Sequence, residues 1–522
     1  MASSASSPKS DVCILGSGVA GMLLADKLLA KGLRVTLVER GEQLSFLDRL
    51  RQQSHRDRLP FNADSHRSPH PAAPSGPKER TDRYLFHPVY NLGGSTNHFY
   101  GNMPRVHSSH FERRAFGGAD RRWPIGYTEL EPYYLEAERR WAVSGSSERS
   151  LFPGRFDYPL PPHRLSPSDR AAERIFGSDA VVPVPTVRPS RPIGTRAACC
   201  GSNHCSLCPI DSKATALNTF YPPIQGRIDL RSGLLATEIR CAKGRVQAVV
   251  AVDETGRQHT LTADAFVVAC NGVDSCMLLQ RSPTVPKHEA LGRYYMDHPM
   301  FDLVIWVPGL ETRPGYGDSA QTGVVRAFFE QVREDLPVSM FGDVKGATLG
   351  EDSGLVREMI LRELLARALT ASAGGASFRG EFREAFDSAL HLSFLVETQP
   401  LASNTLSIQR IKHSGQAVPR IVKAYPAYFA ECVSTVIAHV KQRVPEAIVL
   451  HRGSLPGVHH WMGATRMAET ASEGCVDRDL RYFGLANLHV LAASTYPASS
   501  SASPTLTLTA LALRLGDRLG EA

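Results

Sequence analysis

Gly16-Ser17-Gly18-Val19-Ala20-Gly21 is a G-x-G-x-x-G run, and Glu39 follows eighteen residues after its last glycine. In that pattern the first glycine permits a tight turn, the second lets backbone approach a pyrophosphate, and the third lets helix and strand pack closely. An acid at that distance accepts both ribose hydroxyls and disfavours a 2′-phosphate, so the ligand class is an adenine dinucleotide, FAD or NAD. A second constellation is Cys199-Cys200-Gly-Ser-Asn-His204-Cys205-Ser-Leu-Cys208. Thiolates at such spacing suit a soft metal, either zinc or an iron–sulfur cluster. A bare thiol loop, or one disulfide such as Cys205–Cys208, is the bland alternative.

The elements around the glycine run are those a dinucleotide site needs. A buried strand over Val12 to Leu15 leads into the turn, a helix follows with apolar Val19, Met22, Leu23, Leu28 and Leu29, and a second strand covers Val35 to Val38. Residues 44–84 are polar, Pro-rich and irregular, and residues 148–196 are again Pro-rich. From 234 to 270, alternating apolar and polar residues around Lys243-Gly244 and Glu254-Thr255-Gly256 predict strands. Residues 355–370 predict an amphipathic helix packed on a core, with a membrane-surface or lid role as the alternative, and the final segment predicts a buried helix.

Composition sets the outer bounds. At 522 residues the chain has room for two or three domains, and 42% apolar with 21% charged residues is the balance of a globular protein. No run reaches the roughly 18 apolar residues of a membrane span, and the first ten residues carry no export signal. Cytoplasmic residence is the default; export with a signal-bearing partner would look the same. The net charge of +7 is spread along the chain, which argues for a solvated surface and against a nucleic-acid groove. Ten cysteines in a chain this long make no disulfide framework; Cys13, Cys241, Cys270, Cys276, Cys432 and Cys475 stand singly and read as packing residues.

A second glycine loop runs Asn91-Leu92-Gly93-Gly94-Ser95-Thr96-Asn97-His98. Further on come Leu291 to Pro299 (LGRYYMDHP), His459 to Met467 (HHWMGATRM), Asn487 to Pro497 (NLHVLAASTYP) and Ser503 to Leu515 (SPTLTLTALALRL). Through these segments, in order, the chain resembles the glucose–methanol–choline (GMC) flavoprotein oxidoreductases. The resemblance implies an α/β fold with a discontinuous Rossmann-type FAD-binding domain (8–43, 85–109, 197–300 and 451–522). It implies an α+β substrate-binding domain as well (110–196 and 301–450), with 44–84 as a surface excursion.

The same resemblance implies FAD as cofactor and oxidation of an alcohol on a sugar, polyol or sugar-like metabolite. Gly93, Gly94 and Asn97 would line the flavin with Ser494, Pro504 and Thr505, and His98 stands where some members tether the flavin covalently and others hold it noncovalently. His460 matches the family's catalytic base in H-x-x-G-[TA]-T. The family's second histidine or asparagine is replaced by Ser503, which either bonds the substrate oxygen or merely caps the last helix. Cys199, Cys200 and Cys205 match the Cys-Cys-x4-Cys set that holds a 3Fe–4S cluster in bacterial sugar and polyol dehydrogenases, with Cys208 an extra thiol. Such a cluster would pass electrons to an acceptor subunit or cytochrome. A dehydrogenase is therefore favoured over a peroxide-releasing oxidase, a flavin-binding subunit without turnover and, last, a non-redox lyase.

Overall fold

The computed structural model describes residues 10–45, 47, 89–112, 120–152, 157–307, 309–312, 321–345, 353–371, 375–410, 417–424, 426–455 and 457–521. The expected surface excursion at 44–84 lies outside the described residues, apart from 44, 45 and 47. The chain's first strand, β1 (Ser10–Leu15), sits at the centre of a five-stranded sheet ordered β16-β8-β1-β2-β4, with β2 Val35–Val38, β4 Asp229–Arg231, β8 Ala263–Val268 and β16 Leu488–Val490. Every pairing in it is parallel. A parallel sheet is covered on both faces, and the consecutive burial of Cys13, Ile14 and Leu15 is what such a strand requires. The helix Val19–Ala30 covers one face and packs in turn on the C-terminal helix Thr505–Glu521. Leu506, Ala510, Leu511 and Leu513 of that last helix are buried, as its apolar sequence predicts.

Three strands, β5 (Leu235–Ala242), β6 (Arg245–Val252) and β7 (Gln258–Leu261), form a separate antiparallel sheet. Lys243 and Gly244 both take positive φ at the first turn (51° and 71°), the geometry of a two-residue hairpin.

The third large sheet has six antiparallel strands ordered β15-β9-β12-β11-β10-β3. They are β3 Val181–Pro183, β9 Met300–Trp306, β10 Gly323–Val325, β11 Met340–Lys345, β12 Ala389–Val396 and β15 Ile448–Leu455. Phe301, Leu303 and Ile305 pack on one side with the helix Phe429–Arg443, while Val304 and Trp306 pack on the other with Ile360 and Leu364 of the helix Ser353–Ala371. The expected amphipathic helix is thus held by its apolar face; Leu361 and Leu365 lie on the outside, 40% and 46% exposed. The Pro-rich stretch 148–196 contains a helix and a strand. Ser166 caps the helix Pro167–Phe176 in a capping box, and Pro183 is accommodated because β3 is an edge strand. Among the described residues no helix is long and apolar enough to cross a membrane.

Candidate active site

The nucleotide loop is built as its glycines require. Gly16 has φ +108°, and a Cβ there would lie 2.4 Å from the Ala269 carbonyl oxygen; one on Gly21 would lie 2.0 Å from that of Gly16. Gly18 differs, because a Cβ there would meet nothing within 4 Å. Its face opens outward at the start of the helix, where helical N–H groups attract a phosphate. Glu39 is buried at the end of β2, its carboxylate accepting from the Gly41 amide (2.8 Å) and from the amide (3.0 Å) and hydroxyl of Ser17. Burial raises its pKa against these bonds.

The Gly-Gly loop comes alongside. Gly93 is left-handed at φ +91°, Gly94 has φ +57°, and a Cβ on Gly94 would lie 3.2 Å from the Gly18 Cα. Asn97 donates to Asn91 Oδ1 (2.8 Å) and Leu92 O (3.0 Å), which leaves its buried Oδ1 without a partner among the described residues. An orphaned acceptor beside two glycine loops, one of them open to a phosphate, fits FAD. His98 is half-buried just beyond, its amide on the Ser95 carbonyl.

The C-terminal segments meet a strand-like stretch at 294–298. Met296 and Met462 exchange both backbone hydrogen bonds (2.8 and 2.9 Å), so the antiparallel register sets His298 opposite His460. Their Nδ1 atoms are 2.8 Å apart, and His298 Nε2 bonds the Ser500 carbonyl. Asp297 holds the loop by accepting from the amides of Val458 (3.1 Å), His459 (3.3 Å) and His460 (2.9 Å). Burial, and next to it His298, pushes His460 down to about 3; burial likewise pushes His298 down to about 4. Both rings are therefore neutral near pH 7. His460 Nε2 has no hydrogen-bond partner among the described residues, and His459 turns its ring onto Trp461 (centroids 5.9 Å apart). Gly463 is required here too: φ is +95°, and a Cβ would lie 1.8 Å from the Tyr294 carbonyl oxygen.

Other expected site residues fare differently. The Ser494 hydroxyl pairs with Thr465 Oγ1 (2.7 Å), joining two C-terminal segments. Pro504 is buried, its carbonyl accepting from the Tyr496 hydroxyl (2.8 Å), and Thr505 opens the helix half-buried. Ser503 is half-buried and its hydroxyl has no partner among the described residues, so it makes no side-chain cap. Sequence reasoning missed His298 and Asp297, although both lie in the quoted run LGRYYMDHP. It also missed Glu397, buried with Arg121 (3.0 Å), His110 (3.3 Å) and the amide and hydroxyl of Ser339 (2.8 and 2.9 Å).

Cys199, Cys200, Cys205 and Cys208 line one shallow cleft with Arg188 and Lys213. Arg188 is buried and reaches the Cys205 sulfur at 3.5 Å, and Lys213 Nζ donates to the Cys205 carbonyl (2.8 Å). Burial pushes the Cys205 thiol up, against the pull of Arg188. All ten cysteines are free thiols, so the Cys205–Cys208 disulfide is not formed. Among the described residues no three His, Cys, Asp or Glu side chains group closely enough to hold a metal ion. The four thiols share a cleft but, as placed, are not a ligand set.

Residues 407–512 match the family profile described as GMC oxidoreductase. That segment of the chain is therefore a GMC oxidoreductase domain. The whole chain is 25% identical to the fructose dehydrogenase large subunit of Gluconobacter japonicus over 98% of its own length and 97% of that protein. It is 31% identical to 6'''-hydroxyparomomycin C oxidase of Streptomyces lividus over 54% of its length and 52% of the relative. In fold it is similar to pyridoxine 4-oxidase of Mesorbium loti, with a TM-score of 0.62, 19% identity and 98% and 99% of the two chains covered. The α/β architecture with its parallel nucleotide sheet is the one expected of such a domain and shared with that structure.

Proposed function

We propose that this chain is a GMC oxidoreductase that oxidises an alcohol group of a sugar, polyol or sugar-like metabolite, with His460 as the base that takes the hydroxyl proton. The observation that carries the reading is the open Nε2 of a neutral, half-buried His460 on a loop fixed by the Asp297 carboxylate. A base must be unprotonated at working pH and within reach of the proton it removes. When bound, FAD would supply the acceptor for the hydride leaving the same carbon. Gly16, Gly18 and Gly21 would hold its pyrophosphate, and Glu39 its ribose. Gly93, Gly94, Asn97 and His98 would line the ring, with Ser494, Pro504 and Thr505 behind it. The start of the last helix would favour negative charge there, and the Ser503 hydroxyl is available to bond the substrate oxygen. The sugar or polyol class is supported by likeness to the fructose dehydrogenase large subunit and to a 2-methyl-1,2-propanediol dehydrogenase from Mycolicibacterium austroafricanum.

A dehydrogenase is favoured over an oxidase by the cysteine cleft with its buried Arg188 and Lys213, and by likeness to a protein named as one subunit of an assembly. The spacing and the two cations support an iron–sulfur cluster handing electrons to an acceptor subunit; the thiols as placed do not form its ligand set, and no step is routed through them. The test is anaerobic bleaching of the flavin by D-fructose, then addition of air or ferricyanide. Slow reaction with air and fast reaction with ferricyanide support the dehydrogenase; rapid peroxide release supports the oxidase. Iron and acid-labile sulfide in the same preparation decide the cluster, and colour remaining with acid-precipitated protein decides a covalent bond at His98.

A further inference from the structure

Two imidazoles facing each other through the same nitrogen cannot both donate or both accept. A carbonyl oxygen only accepts, so His298 Nε2, bonded to Ser500 O, carries a hydrogen. A neutral imidazole has one N–H, so His298 Nδ1 is a lone pair, and the bond of 2.8 Å to His460 Nδ1 requires His460 to donate there. His460 then has its hydrogen on Nδ1 and a bare lone pair on Nε2, the nitrogen left open.

We infer that His298 is a positioning residue that fixes His460 in the Nδ1–H form through the Ser500 carbonyl, so that Nε2 is the basic nitrogen. The role rests on His460 being the base proposed above.

The anchor is rigid. The Ser501 amide donates to Ser339 Oγ (2.9 Å), Ser499 Oγ bridges the Thr398 amide (3.0 Å) and carbonyl (2.8 Å), and the Ala502 amide donates to Ser500 Oγ (3.0 Å). Ser499, Ser500 and Ser501 are all buried, so the carbonyl between them has no freedom to turn away. Asp297 acts on His460 by charge and through the His460 amide, Lys423 acts on His298 by charge, His459 turns to Trp461, and Glu397 acts on His298 by charge and is joined to the Ser501 amide through Ser339. None of them offers another hydrogen-bond partner to either Nδ1. Without His298, nothing described would select the tautomer, and the usual Nε2–H preference of histidine would leave the lone pair facing inward.

The test is long-range 1H–15N spectroscopy of the flavin-loaded full chain with ring-labelled histidine. His460 is assigned by the signals lost in His460→Gln, and flavin bleaching by D-fructose is followed in each variant. In the unsubstituted protein His460 should show the Nδ1–H pattern. His298→Gln should keep it, because one amide can donate to Ser500 O and accept from His460, and bleaching should slow by about tenfold or less. His298→Leu should lose the pattern and slow bleaching by about a hundredfold, the low end for losing a general base. An Nε2–H pattern in the unsubstituted protein overturns the inference whether or not His298→Leu folds, and so does an unchanged pattern in that variant. Continued bleaching by His460→Gln would instead sink the base assignment and leave the tautomer result standing.

Discussion

A Cβ on Gly94 would lie 3.2 Å from the Cα of Gly18, so two glycine loops far apart in sequence meet backbone to backbone. So close an approach leaves little space for a side chain on Gly94. Gly94 also has φ +57°, which a β-branched residue tolerates badly. Gly94→Val should therefore combine crowding with backbone strain of ~1–3 kcal/mol, and flavin affinity should fall by roughly 5- to 150-fold. Flavin absorbance per mole of protein after dialysis checks it; full retention would mean the loops do not cradle the ring.

His460→Gln removes the open nitrogen while keeping an amide of similar size. Turnover should fall by about 10^2- to 10^4-fold, with flavin content and melting temperature little changed. A stopped-flow trace of flavin reduction by the donor reads the loss at the chemical step, before any acceptor is involved.

What the sequence revealed was whatever lies close along the chain. The glycine run, Glu39 and their two strands are contiguous, and each residue's role follows from its neighbours; the Lys243-Gly244 turn is legible for the same reason. His298 was not, because its partner is set by the bridge between Met296 and Met462, and nothing near either histidine in sequence announces that pairing. Glu397 escaped likewise, its partners coming from three distant segments. At Ser503 the sequence leaves two roles open. Ser-Pro is locally a good cap, yet the hydroxyl has no partner among the described residues, since local preference cannot say where the chain turns.

The two facing histidines should make the protein acid-sensitive. An unfolded histidine titrates near 6.5, whereas His298 and His460 are pushed down to about 4 and about 3. Between those values the unfolded chain binds more protons than the folded one. Their contribution is therefore fully present above about pH 6.5 and is lost as pH falls toward 3. Urea midpoints of the unsubstituted protein and of a His298→Gln, His460→Gln double variant at pH 7.5 and pH 5 test this: the drop on acidification should be smaller in the double variant.

Glu397, just after β12, ties the six-stranded sheet to the serine segment ahead of the last helix. Its carboxylate takes Arg121 on one oxygen and His110, the Ser339 amide and the Ser339 hydroxyl on the other, and all of these residues are buried. Ser339 passes the constraint on by accepting from the Ser501 amide. Glu397→Gln keeps the shape, but it removes the negative charge facing the Arg121 guanidinium and places an amide donor against groups that themselves donate. Removing one member of a buried ion pair costs about 3–5 kcal/mol, and the urea midpoint should fall accordingly. Because Ser500 sits within the segment so anchored, the same substitution should slow flavin reduction, even at a temperature where the variant is fully folded. Unaltered reduction kinetics in a destabilised Glu397→Gln protein would separate the two effects and confine Glu397 to holding the fold.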